Sequence, residues 1–293
     1  MVLSFCPEEV YMFDQIFPSV SSIASITAIG AVFGLILSIA KIKLHVEKDP
    51  RFDKVLEVLP NANCGACGQP GCAGYATKIV QGEVAINLCP AGGVDVVRKI
   101  AEIMGIEAES VHPVKARIHC QGGSDVTKTR FLYDGPVTCM AAQQVMGGSK
   151  VCQYGCLGMG DCAAVCPFDA IHMNENNLPV VDWDKCTGCG KCVSACPRSI
   201  ISLVGETFDV HVICRNKEKA PAMKKGCSVG CIACNRCVKA CKEVFQENPE
   251  IETAIEVVNF LAVIDYTKCI NCGKCAEVCP QKVIEFLSRK TSA

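Results

Sequence analysis

Apolar residues are distributed unevenly along the chain. From Ile23 to Ala40 it reads IASITAIGAVFGLILSIA, eighteen residues without a charge, long enough to predict one membrane-crossing helix. Glu8, Glu9 and Asp14 precede the run, and Lys41 and Lys43 follow it. Because basic residues stay inside, this order predicts residues 1–22 outside, a 23–40 span, and a cytoplasmic remainder. A signal peptide fits poorly: there is no basic leader, and Lys-Ile-Lys stands where small residues would mark a cleavage site. Gly30 and Gly34 give the helix one smooth face, suited to close helix packing or arising by chance. Beyond Ala40 the apolar positions come in short pieces. Residues 41–60 read as a polar linker and a helix ending at Pro60, and residues 73–81 suit a helix that Gly82 stops. AIHM at 170–173, IISLV at 200–204 and VIEFL at 283–287 read as short strands pairing over whatever the intervening loops hold. The class predicted is α+β.

Composition changes this picture in two ways. The 29 basic residues nearly balance the 30 acidic ones, which argues against nucleic-acid binding. Aromatics make up only 6 % while cysteine reaches 25 residues, so the polar part is expected to be held together largely by bound metal.

Two cysteine runs follow the spacing C-x2-C-x2-C-x3-C-P: Cys186, Cys189, Cys192, Cys196 with Pro197, and Cys269, Cys272, Cys275, Cys279 with Pro280. In this bacterial ferredoxin run, three thiolates hold one [4Fe-4S] cube and the fourth reaches to a second cube. Thiolate is soft and supplies the negative charge that iron requires. A secreted disulfide framework is usually small, and zinc sites need two separated pairs rather than four cysteines within eleven residues.

Three further groups extend the pattern. Cys64, Cys67, Cys72 and Cys89 stand among glycines, with the 73–81 helix returning the chain so that Cys89 closes a fourth corner. One [4Fe-4S] cube is the expected occupant, with a zinc knuckle as the alternative. Cys231, Cys234, Cys237 and Cys241 form another ladder, followed by Lys242 instead of proline. Cys152, Cys156, Cys162 and Cys166 match it from the last cysteine backwards, except that Met159 stands where the other ladder has Cys234. A thioether is a poor substitute for thiolate, so Cys152 is expected to supply the missing ligand. The crossing rule then gives four sets: Cys152, Cys156, Cys162 with Cys196; Cys186, Cys189, Cys192 with Cys166; Cys231, Cys234, Cys237 with Cys279; and Cys269, Cys272, Cys275 with Cys241. With the Cys64 set, these twenty ligands hold five clusters. Cys120, Cys139, Cys214 and Cys227 remain as a sixth set of four or as buried free thiols. Cys6 lies before the helix as a bystander, or a site of lipid or thiol chemistry. Cys227, Cys231 and Cys234 share the spacing of radical-SAM enzymes, but Ala233 replaces the usual aromatic and no large barrel fits.

The predicted divisions are 1–22 before the span, 23–40 the transmembrane helix, 41–106 a four-cysteine domain, 107–151 a connecting region, and 152–206 and 207–293 two bicluster ferredoxin modules. A charge-free helix, Asp49-Pro50, Leu59-Pro60, Cys64-Gly-x-Cys67-Gly-x-Pro-Gly-Cys72 and Cys89-Pro-x-Gly-Gly follow in order. This arrangement resembles the RnfB family, the cluster-rich B subunits of Rnf ferredoxin:NAD oxidoreductases. The resemblance implies a single-pass protein at the cell membrane, in contact with lipid and with membrane and flavin-bearing partner subunits. It also implies a complex that reduces NAD at another subunit and exports Na⁺ or H⁺. A polyferredoxin subunit of a membrane hydrogenase would share the ladders but not the first-domain motif, and a zinc-bound adaptor would be colourless.

Between Cys214 and Lys242 stand eight basic residues, Lys224 and Lys225 among them, against Glu218 alone. Such a run is a solvated face or a dock for an acidic redox partner such as soluble ferredoxin. No P-loop, dinucleotide fingerprint or nucleophile triad occurs, so neither NAD nor flavin is expected on this chain. Of five scattered histidines, only His119 adjoins a cysteine.

Overall fold

Helix α1 runs from Glu9 to Lys43, well beyond the apolar run at its N-terminal side. The computed structural model describes residues 9–43, 49–108, 110–245 and 253–287. Ile23–Ala40 has a mean hydropathy of 2.3 and none of it is buried within the chain. Thr27 and Ser38 donate their hydroxyls to the carbonyls of Ile23 and Gly34, both at 2.8 Å, so neither needs water inside an apolar layer. Gly30 and Gly34 have open space beside them. The chain divides near Pro50 into two units, and the cysteines from Cys64 onward all fall in the second.

Helices α2 (Pro50–Val58), α3 (Gly71–Val80) and α4 (Gly93–Met104) enclose a small core of Val55, Leu59, Tyr75, Ile79, Val97 and Ile100. In α4 the apolar positions Val97, Ile100, Ala101 and Met104 repeat at helical spacing and turn inward. As predicted, α3 stops at Gly82. Its backbone lies at φ +73°, and the Gly82 and Glu83 N–H groups reach back to the carbonyls of Ile79 and Lys78, both at 3.0 Å.

Strand β1 (Val114–Ile118) and helix α5 (Cys139–Gln144) follow in the segment where the sequence shows no short motif. Then come α6 (Asp161–Ala164), β2 (Ile171–Met173), β3 (Pro179–Val181), α7 (Lys191–Ala195), β4 (Ile201–Gly205) and β5 (Val210–Val212). Last are α8 (Ala220–Gly226), α9 (Arg236–Val244), β6 (Ile255–Val258), β7 (Leu261–Ile264), α10 (Lys274–Glu277) and β8 (Ile284–Phe286). The three expected strands are β2, β4 and β8. Their partners come from segments the sequence pattern left unmarked: β2 pairs with β3, β4 with β1, and β8 with β5, all antiparallel. The β6–β7 hairpin is the second module's counterpart of β2–β3.

The two modules are tied by polar contacts. Buried His119 donates Nδ1–H to the Val212 carbonyl at 2.6 Å and accepts the Ser202 hydroxyl on Nε2 at 2.6 Å. Burial, with Arg215 and Arg117 nearby, lowers its pKa, so the ring stays neutral in this tautomer. Arg117 on β1 pairs with Glu285 on β8 at 3.5 Å, and Gln121 donates to the carbonyls of Val229 and Gln281.

Candidate metal centres

The first group of cysteines is shaped by backbone that only short residues permit. Asn63 and Gly65 adopt positive φ before Cys67. Asn63 then accepts the Cys72 N–H at 2.8 Å. Gly71 lies at φ +83°, and a Cβ there would sit 2.7 Å from the Asn63 side-chain oxygen. Tyr75 holds the returning loop, donating to the Ala85 carbonyl at 2.9 Å and accepting the Leu88 N–H at 3.1 Å. Cys89 is thereby brought within electrostatic reach of Cys64, Cys67 and Cys72, and burial raises its pKa.

In the second module, Cys231, Cys234, Cys237 and Cys279 line one cavity, closed by Ile232, Val257, Ala262 and Pro280. Cys241, Cys269, Cys272 and Cys275 line another, under Val210, Phe245 and Ile255. In the first module, Cys192 lies beside Cys186 and Cys189, and Cys166 packs against the same apolar core.

One expected grouping is corrected. The cavity with Cys156, Cys162 and Cys196 is completed by Cys139, not by Cys152. The cause is local. Thr138 caps α5, accepting the Ala141 N–H at 3.2 Å. The Asp161 carboxylate takes the Cys139 and Met140 N–H groups at 2.8 and 3.2 Å. Asp161 adjoins Cys162, so this clamp delivers the start of α5 to the site. Met159 supplies no sulfur to that cavity's lining. Cys152 instead joins Cys120, Cys214 and Cys227 around a third cavity. Of the leftover four, Cys120, Cys214 and Cys227 therefore converge, and Cys152 takes the place expected for Cys139.

That third cavity lies between the modules, and hydrogen-bond donors surround its cysteines. Cys120 Sγ accepts the N–H groups of Gly122 and Cys156 at 3.4 and 3.3 Å. Buried Asn216 donates Nδ2–H to Cys152 Sγ at 3.3 Å, and the Cys231 N–H reaches Cys214 Sγ at 3.4 Å. Lys150 is 5 % exposed. It donates to the Gly122 carbonyl at 2.9 Å, and its charge favours thiolate at Cys120, Cys156 and Cys227. None of these polar contacts is foreseeable from the sequence.

The quartets form a succession. Ala66 and Leu88 of the first domain line a cleft shared with Cys186 and Cys189. Cys192 is electrostatically coupled to Cys162, Cys156 donates to Cys120, Cys231 donates to Cys214, and Cys275 is coupled to Cys237.

The residues present fit [4Fe-4S] clusters. Burial, reinforced by neighbouring thiolates, pushes Cys156, Cys192, Cys214 and Cys275 up to about 12 and Cys162 and Cys237 up to about 11. Such thiols give up their protons only to a cationic guest. Among the described residues, no three His, Cys, Asp or Glu side chains close in on a single ion. Lys224 and Lys225 stand exposed on α8; Cys6 lies outside the described residues.

Comparison with known proteins agrees. The FeS family model, for an Fe-S cluster, matches residues 59–91, and two models described as 4Fe-4S dicluster domains match 149–203 and 230–284. The chain is 39 % identical to the B subunit of the ion-translocating oxidoreductase complex of Methanosarcina acetivorans, over 91 % of this chain and 98 % of that one. It is 46 % identical to the B subunit of the Na(+)-translocating ferredoxin:NAD(+) oxidoreductase complex of Acetobacterium woodii, over 87 % and 74 %. It is 40 % identical to the proton-translocating counterpart of Clostridium ljungdahlii, over 89 % and 90 %. By these measures the chain belongs to the family of B subunits of ion-translocating oxidoreductase complexes.

Proposed function

We propose that each of the six cysteine quartets holds one [4Fe-4S] cluster, and that the chain relays electrons from reduced ferredoxin to the other subunits of an ion-translocating ferredoxin:NAD oxidoreductase complex. The observation that carries this reading is the succession of quartets: the first domain shares a cleft with the Cys186 quartet, and from there each quartet is joined to the next by a hydrogen bond or lies within electrostatic reach of it. A bound [4Fe-4S] cluster supplies one-electron chemistry, taking up and releasing a single electron. The protein's residues set the order of sites, exclude water with apolar walls, and bias each site through N–H groups and Lys150.

NAD reduction and export of Na⁺ or H⁺ belong, on this reading, to partner subunits, flavin-bearing membrane proteins among them. The apolar helix and the family fit membrane association. The basic residues after Ala40 support a single span embedded in lipid, with the N-terminus outside and the quartets in the cytoplasm. The basic run that includes Lys224 and Lys225 attracts ferredoxin by charge. The test is iron and sulfide analysis with EPR on the anaerobically purified complex. About six reducible cubes from this chain support the reading; colourless, zinc-loaded protein rejects it.

A further inference from the structure

We propose that the exposed side of α9 beside Cys234 is the contact surface for a small, acidic, one-electron carrier protein, and that electrons enter the chain there. This rests on the relay reading above and locates its entry point. Electron transfer falls off steeply with distance, so an entry site must present its edge to solvent. Among the described cysteines only Cys234 and Cys272 are exposed, and both lie in the second module.

Charge distinguishes the two. Arg236, Lys239 and Lys242 recur three residues apart along α9, all at its solvent side, while Cys237, Ala240 and Cys241 face inward. None of the three makes an ion pair among the described residues. Helix α9 packs against β6, and the β6–β7 hairpin supplies Val257 and Ala262 to the wall around Cys234. The hairpin turn exposes Phe260, with the Lys219 ammonium 5.8 Å from its ring centroid. A positive rim around a small apolar patch is what a transient, electrostatically guided partner of opposite charge requires. Around Cys272 the lysines are answered: Lys274 pairs with Glu277 at 3.1 Å and Lys268 with Asp265 at 4.0 Å. The α8 lysines adjoin Cys227, whose quartet has no exposed cysteine; they add to the field without offering a site at the surface.

In the step itself the carrier loses one electron and the site of Cys231, Cys234, Cys237 and Cys279 gains it, with no bond made or broken. The test uses the intact complex and an acidic 2[4Fe-4S] ferredoxin. Carbodiimide coupling, which joins carboxylates to amines without a spacer, is expected to link the ferredoxin to Lys239 and Lys242. The triple variant R236E/K239E/K242E is expected to weaken ferredoxin binding by about ten-fold or more at low salt and to flatten its salt dependence. Its iron content and dithionite-reduced EPR spectrum should stay unchanged. Links confined to Lys224 and Lys225, or to Lys268 and Lys274, overturn the proposal, as does wild-type binding by the triple variant. A complex that ferredoxin neither binds nor reduces overturns the relay reading together with its entry point. Binding and reduction with a footprint elsewhere overturn the entry point alone.

Discussion

The two dicluster modules share one plan and differ in what covers it. Each places a hairpin between two ladders and closes with a strand taken from upstream. In the first, β1 lies over the second ladder: Ala116 donates its N–H to Cys186 Sγ at 3.4 Å, and the Val114 carbonyl occupies the space a side chain at Gly188 would need. Cys189, the middle cysteine there, is half-covered. In the second module the equivalent Cys272 is bare, and so is Cys234, whose counterpart in the first module is Met159. The difference teaches that a ladder fixes ligand spacing, while the segment laid across it decides whether the site is an interior station or a terminus.

The sharpest way to break this comparison is at Cys139. Replacement by serine is expected to remove one cube, about four irons per chain, from the first module and none from the second. Adding Met159→Cys to that variant rebuilds the ladder of the second module and is expected to restore the lost iron. Iron assay with EPR reads both; an unchanged iron content in C139S rejects the grouping.

Next in size is the covering strand. Gly188 sits at φ +69° and a Cβ would strike backbone, whereas at Gly273, φ +74°, it would meet only the Phe286 ring at 3.2 Å. Gly188→Ala is expected to cost about 3 kcal/mol and Gly273→Ala about 1–2 kcal/mol. Anaerobic thermal melts check the order, and equal losses would mean that β1 is not a rigid cover.

The smallest effect is electronic. Lys150→Gln removes a buried positive charge beside the quartet between the modules. The midpoint potential of that site is expected to fall by roughly 50–100 mV, the size of one partly screened charge. A potentiometric EPR titration measures it. No shift would mean that the N–H groups alone set the site.

Much of this is legible in the sequence because cysteine spacing is a short-range signal. The ladders, the first-domain motif, the apolar helix, the Gly82 stop and three strands are all written within a few residues of one another. The exchange of Cys139 and Cys152 is not, because it depends on Asp161 gripping two backbone N–H groups 21 and 22 residues away in sequence. Counting from Met159 favours the nearer cysteine, whereas the fold uses the one whose helix start is held by a carboxylate. Thr138 before Cys139 is the available clue, as a cap residue opening a helix. Lys150 and Asn216 look like surface residues in any local window. Only long-range packing turns them inward.

The third cavity draws Cys120 together with Cys227, more than a hundred residues later in the chain. During synthesis the Cys64 quartet is complete early, while the centre joining the modules stays open until the last third of the polypeptide has emerged and folded back. On the six-cluster reading proposed above, iron insertion at this centre comes late, and a truncated product carries a filled N-terminal site with no path to it.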